Sequence, residues 1–169
     1  MAHSREISAR TGQREEKSAL KDNACSFSGH RELDADFDRA LLERVVESLI
    51  KRGTDTFLCG MARGFDLAAA ETVLKFKEKY GVKLVACIPY EGQADYFSSS
   101  DRERYENILR YCDEKRVFAE KYNRYCMFAR DRYMADNSSV LVCYLRKNSG
   151  GTFYTVNYAK KTGLKVIEI

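Results

Sequence analysis

The chain has 169 residues, 44% of them apolar and 32% charged, with 10 Gly and a single Pro. That length suits one compact domain able to bury roughly two thirds of its unfolded surface, and the composition excludes collagen-like, low-complexity and wholly disordered classes. Twenty-nine Lys and Arg against 25 Asp and Glu leave +4, too weak a field to name nucleic acid as a partner, and no apolar run reaches the roughly 18 residues of a membrane span.

Residues 1–23 mix Ser, Arg, Glu and Lys without apolar periodicity and are expected to form a flexible, solvated tail. The interleaved acids make a basic nucleic-acid arm the weaker alternative. Residues 24–169 read as a single domain in which short apolar runs alternate with longer amphipathic stretches. The first strand is expected at Ala24–Ser28 and the first helix at Phe37–Lys51, where Leu41, Val45 and Leu49 repeat every fourth residue beside Leu42, Val46 and Ile50. A second strand at Thr56–Cys59 precedes a helix at Leu67–Tyr80, and a third at Lys83–Ile88 precedes one at Asp101–Glu114. A weak strand follows at Arg116–Ala119, then a helix at Arg124–Asn137, a strong strand at Val140–Tyr144, a helix at Phe153–Lys161 and a last strand at Lys165–Ile169.

The strands are continuous apolar runs, as in parallel sheets covered on both faces. The expectation is therefore a three-layer, Rossmann-like, doubly wound α/β fold with about six mostly parallel strands and helices on both faces. If the order is 3-2-1-4-5-6, the topological switch lies between strands 1 and 4, with a ligand crevice at their carboxyl ends. The six cysteines form no C-x-x-C pair and have no histidine at zinc-finger spacing, and no signal-peptide-like segment opens the chain; a reduced, cytoplasmic setting fits best.

The chemistry is expected in the loops that follow the strands. After strand 1, Gly29 allows a tight turn, followed by His30 and by Arg31, whose fork of donors suits an anion. After strand 2, Gly60-Met61-Ala62-Arg63-Gly64 runs into a helix whose start suits phosphate. Asp66 fits there as a helix cap or as an acceptor for ribose hydroxyls. After strand 5, Gly150-Gly151-Thr152 opens another helix, with Thr152 placed to cap it and hold an oxyanion. Arg130 shares a helix face with Met134 and leans toward the crevice, whereas Arg124 and Arg132 read as a snorkelling face. Asp34, Asp36 and Asp38 precede a helix, where acidic residues suit the dipole. His30 is the one histidine of the folded region, so no triad or multi-histidine metal set assembles around it. Neither a G-x-G-x-x-G nor a Walker spacing is present, and no metal or cofactor is expected.

Ser-Gly-His-Arg at 28–31, G-M-A-R-G-F-D-L-A-A-A-E at 60–71, Ile88-Pro89-Tyr90, R-D-R-Y-M-A-D-N-S-S at 130–139 and N-S-G-G-T at 148–152 together resemble the SLOG superfamily. That group unites the DNA-processing protein DprA, LOG-type cytokinin-activating enzymes and the YpsA-like family of unknown function, to which the match is closest. The resemblance implies a Rossmann-like domain for a nucleotide or nucleotide-derived ligand, held by Gly60, Arg63, Gly64 and Asp66 and by Gly150, Gly151 and Thr152, with Gly29, His30, Arg31, Met61, Ala62 and Pro89 alongside. Arg130 falls where LOG-type enzymes carry a catalytic arginine. Their P-G-G-x-G-T-x-x-E stretch is only partly kept, since Phe153, Tyr154 and Thr155 follow Thr152 without a glutamate.

Three functions follow in order: a module that binds or senses a nucleotide derivative, a LOG-like phosphoribohydrolase of nucleoside 5′-monophosphates, and a DprA-like single-stranded DNA-binding protein. Nucleic acid is the less favoured partner, a membrane is excluded, and a homodimer is suggested by the resemblance alone.

Overall fold

The computed structural model describes residues 21–169, so the expected tail lies outside the described residues except for its last three. Six strands alternate there with five helices: β1 (Ala24–Gly29), α1 (Arg39–Lys51), β2 (Thr56–Cys59), α2 (Phe65–Tyr80), β3 (Lys83–Ile88), α3 (Ser99–Tyr111), β4 (Glu114–Val117), α4 (Cys126–Asp136), β5 (Val140–Tyr144), α5 (Gly150–Lys161) and β6 (Lys165–Glu168). The elements and their order are those predicted; the boundaries shift where side chains cap. Asp38 accepts the Leu41 amide at 2.9 Å and thereby starts α1 after the apolar pattern begins. Ser98 caps α3 by accepting from the Asp101 amide at 3.2 Å.

All strand pairs are parallel, in the order β4-β3-β2-β1-β5-β6. The 3-2-1-4-5-6 order is thus corrected: β4 lies at the sheet edge beyond β3, and β5 takes the place beside β1. The reason is compositional. Glu114-Lys115-Arg116-Val117 is exposed at all four residues, so it cannot occupy a position covered on both faces. Val140–Tyr144 can, with its last four residues buried.

This topology sorts the helices into two layers. Strands β1 to β4 advance in one direction across the sheet, so α1, α2 and α3 lie on one face; the reversal to β5 carries α4 and α5 to the other. Side chains of the inner strands alternate accordingly. Phe57, Cys59, Leu84 and Ala86 pack with Leu42, Val46 and Ile108, whereas Leu58, Val85 and Cys87 pack with Met134. Val156 and Ala159 of α5 cover Leu141 and Cys143. No helix among the described residues is long and apolar enough to cross a membrane.

Candidate functional site

The sheet reverses direction between β1 and β5, and a crevice opens at the carboxyl ends there. In this protein it is a cleft of about 700 Å³. Gly29, His30 and Arg31 border it from the β1 turn, Ala62, Arg63 and Asp66 from the β2 turn, Arg130 from α4, and Gly151 and Thr152 from α5. Gly60, Met61, Gly64, Pro89 and Gly150 do not line it.

Those residues lie beneath or beside the cleft and shape it through the backbone. Helix α2 is the middle helix of its layer, and Ala68, Ala69 and Ala70 are fully buried, so small side chains let it sit close to the sheet. Its first turn then presses on β1: a Cβ at Gly29 would overlap the Phe65 side chain, and one at Gly64 would lie 2.6 Å from the His30 carbonyl oxygen. Gly29 therefore serves close packing, and its φ is not positive, which corrects the tight-turn reading. Gly64 has φ +79°, a conformation costly for any residue with a Cβ.

Two capping expectations change. Gly64 and not Asp66 is the N-cap of α2, and no side chain caps that helix. The Phe65 amide donates to the His30 carbonyl at 3.1 Å, which leaves this helix start less open to phosphate than expected. Helix α5 begins at Gly150, with Ser149 as N-cap and no side-chain cap. Thr152 therefore sits inside the first turn and cannot cap it. The uncapped start of α5 carries orphan amides and the positive dipole end, with Gly151, Thr152, Lys147 and Arg146 all bordering the cleft.

The floor is a buried polar cluster. Asp66 is 5% exposed and Arg130 is 7% exposed. Arg130 Nη1 donates to the Gly60 carbonyl, and its Nε donates to Asp131 Oδ1 at 2.6 Å. Burial works against the guanidinium charge, but Asp131 and Asp66 offset it and hold the pKa above the usual arginine value. Asp66 Oδ2 accepts the Ala62 amide at 3.2 Å. Met61 makes that contact possible by adopting φ +59° while fully buried, a strained conformation of the kind found at functional turns. Burial pushes the Asp66 carboxyl up to about 7, although Arg130 and the Ala62 amide pull the other way.

Several residues here escaped the sequence reading. Gln93 lies between β3 and α3, 6% exposed, and donates through Nε2 to the Gly60 carbonyl at 2.9 Å. Tyr90, Tyr96, Met127 and Phe128 also border the cleft, with Tyr96 91% exposed. None sits in a glycine-bracketed loop, so no local signal marked them; the Tyr90 that follows Pro89 was the one hint. Asp34, read as structural, accepts from the Tyr144 hydroxyl at 3.1 Å and borders the cleft as well. Among the described residues no group of three or more His, Cys, Asp or Glu is arranged to hold a metal ion.

A model of the YspA SLOG family matches residues 30–166. The chain is 30% identical over 137 residues to the uncharacterized SPbeta prophage-derived protein YoqJ of Bacillus subtilis, across 73% of this chain and 80% of that protein. It is 26% identical over 129 residues to the UPF0398 protein OB1025 of Oceanobacillus iheyensis, across 75% and 70%. In fold it is similar to DprA from Streptococcus pneumoniae, with TM-score 0.65 and 20% identity over 88% of this chain and 50% of that one. DprA from Helicobacter pylori gives TM-score 0.61 and 16% identity over 86% and 64%. The chain thus spans half the length of one DprA and less than two thirds of the other.

Proposed function

The chain belongs to the YspA SLOG family, and from that premise we propose that its cleft binds a nucleotide or nucleotide derivative, with occupancy biasing a partner contact. The observation that carries this reading is the set of groups bordering one cleft: Gly151 and Thr152 at the uncapped start of α5, the cations Arg31 and Lys147, and the aromatic faces of Tyr90, Tyr96 and Phe128. The helix start and cations suit a phosphate, and the aromatic rings suit a planar base. The free thiols suit a reduced, cytoplasmic setting. Isothermal titration with nucleoside mono-, di- and triphosphates, NAD, ADP-ribose and cyclic dinucleotides tests the reading. Saturable binding of at least one, weakened severalfold by Lys147→Ala, is expected; no heat from any of them overturns it.

One observation favours hydrolysis as a second reading. Asp66 is buried beside Arg130 with its pKa pushed up to about 7, which suits a general acid near neutrality. Cleavage of the N-glycosidic bond of a nucleoside 5′-monophosphate would release free base and ribose 5-phosphate. Chromatography after long incubation finds both products, or the reading is dropped.

The exposed Tyr96, Tyr122, Tyr125 and Phe128, with Arg124 over the Tyr125 ring at 4.9 Å, support single-stranded DNA as a third ligand, since aromatic-basic surfaces stack bases. The Helicobacter pylori DprA structure is described as binding single-stranded DNA. A gel shift that weakens steeply with salt is expected on this reading; no retardation at low salt removes it.

A further inference from the structure

Two acceptors at the cleft floor have no donor. Asp66 Oδ1 and Gln93 Oε1 both lack a hydrogen-bond partner among the described residues, although the two residues are only 5% and 6% exposed. Both residues border the cleft. Their remaining polar atoms are committed, Asp66 Oδ2 to the Ala62 amide and Gln93 Nε2 to the Gly60 carbonyl. A carbonyl only accepts, so the Gln93 amide cannot be turned over without losing that bond, and its oxygen remains the unmatched acceptor. Native interiors seldom leave such atoms unmatched, because a desolvated acceptor without a donor is costly. A pair of them on one cleft is a demand for two donors from the ligand.

Resting on the nucleotide reading, we propose that Asp66 and Gln93 receive the 2′- and 3′-hydroxyls of a ribose, so that the cleft takes ribonucleotides in preference to deoxyribonucleotides. The pair is wired to the proposed phosphate end. Arg130 donates to the Gly60 carbonyl shared with Gln93 and also to Asp131. Asp131 Oδ2 accepts from the Thr155 hydroxyl at 3.2 Å, and that hydroxyl lies one turn along α5 from Gly151, whose carbonyl it also contacts at 3.0 Å. The sugar is the part of a nucleotide adjoining its phosphate, and its vicinal hydroxyls offer two O–H donors on neighbouring carbons. An exocyclic base amine also offers two donors, so the test separates these sources.

The test is isothermal titration at pH 8, where Asp66 is ionised and accepts, of the unmodified protein with the four ribonucleoside 5′-monophosphates, then with the 2′-deoxy and 3′-deoxy forms of the tightest binder. AMP is compared with IMP, and CMP with UMP. Each deoxy form is expected to bind weaker by on the order of tenfold to a hundredfold. In Asp66→Asn the surviving oxygen keeps the Ala62 amide and an NH₂ group replaces the unmatched oxygen, so the ribose preference is expected to shrink toward unity. Equal affinity for ribose and deoxyribose forms overturns the ribose assignment and leaves the nucleotide reading standing. So does an affinity that follows the base amine and ignores the hydroxyls. If no monophosphate binds, the ribose assignment is overturned, and the nucleotide reading stands or falls with the di- and triphosphates, NAD, ADP-ribose and cyclic dinucleotides.

Discussion

The Nε2 of His30 accepts the backbone N–H of Arg146 at 2.8 Å, tying the turn after β1 to the turn after β5 at the point where the sheet reverses. The contact requires a neutral imidazole, because an imidazolium has no lone pair to offer. Burial lowers the His30 pKa, Lys147 and Arg146 push the same way, and Asp34 opposes them.

The folded pKa therefore lies below an unfolded value near ~6.5, and the unfolded chain takes up the proton more readily. Stability from this contact is present above about pH 6.5 and lost as pH falls toward the folded pKa. The melting temperature should drop between about pH 7 and pH 5.5. His30→Gln keeps an acceptor that does not titrate, and should flatten that drop; an equally steep fall in the variant would locate the titration elsewhere.

Asp66 acts in the opposite direction. Its pKa of about 7 in the folded state lies above the ~3.9 of an unfolded aspartate, so the folded chain binds more protons in between. Its contribution is fully present below about pH 4 and is lost as pH rises through about 7. Asp66→Asn removes this dependence. Urea unfolding at pH 5 and pH 8 should show the variant gaining relative to the parent at the higher pH. An identical difference at both values would mean that Asp66 is ionised throughout.

Gly64 and Gly151 should respond differently to alanine. At Gly64, φ +79° and the nearby His30 and Arg31 carbonyls combine backbone strain with overlap, for a loss of about 2 kcal/mol or more. At Gly151 a Cβ meets nothing within 4 Å, and the change should stay within about 0.5 kcal/mol. Denaturant midpoints of the two variants give the comparison directly.

Arg130 joins α4 to the β2 turn through its bond to the Gly60 carbonyl, and through a second bond in another direction it holds Asp131 of its own helix. Lys offers a point charge in place of a fork, so Arg130→Lys should lose one of the two and cost about 1–3 kcal/mol. Arg130→Met leaves Asp131 without its cation and should cost about 3–5 kcal/mol. If Met is tolerated as well as Lys, the buried charge pair contributes nothing to stability.

Much of the fold was legible because periodicity is local. Leu42, Val46 and Leu49 repeat at helical spacing and are the buried residues of α1, and Val140–Tyr144 is apolar throughout because it lies inside the sheet. The strand order was misjudged although its signal was present: Glu114-Lys115-Arg116 is too polar for a central strand. The Asp66 and Thr152 caps failed because N-cap preference ranks residue types and does not say where a helix starts. Gly64 and Ser149 took those places when packing against Arg31 and the turn at Gly150 set the backbone path.

The amino-acid order by itself determined a six-stranded, doubly wound sheet with glycine-bearing turns after β1, β2 and β5, since each of these depends on neighbours a few residues apart. Tertiary structure alone decided that Asp66 is buried beside the point where Gln93 and Arg130 both donate to the carbonyl of Gly60. They come from α2, the segment after β3 and α4, and desolvation and unmatched hydrogen bonds arise only when distant segments are packed together.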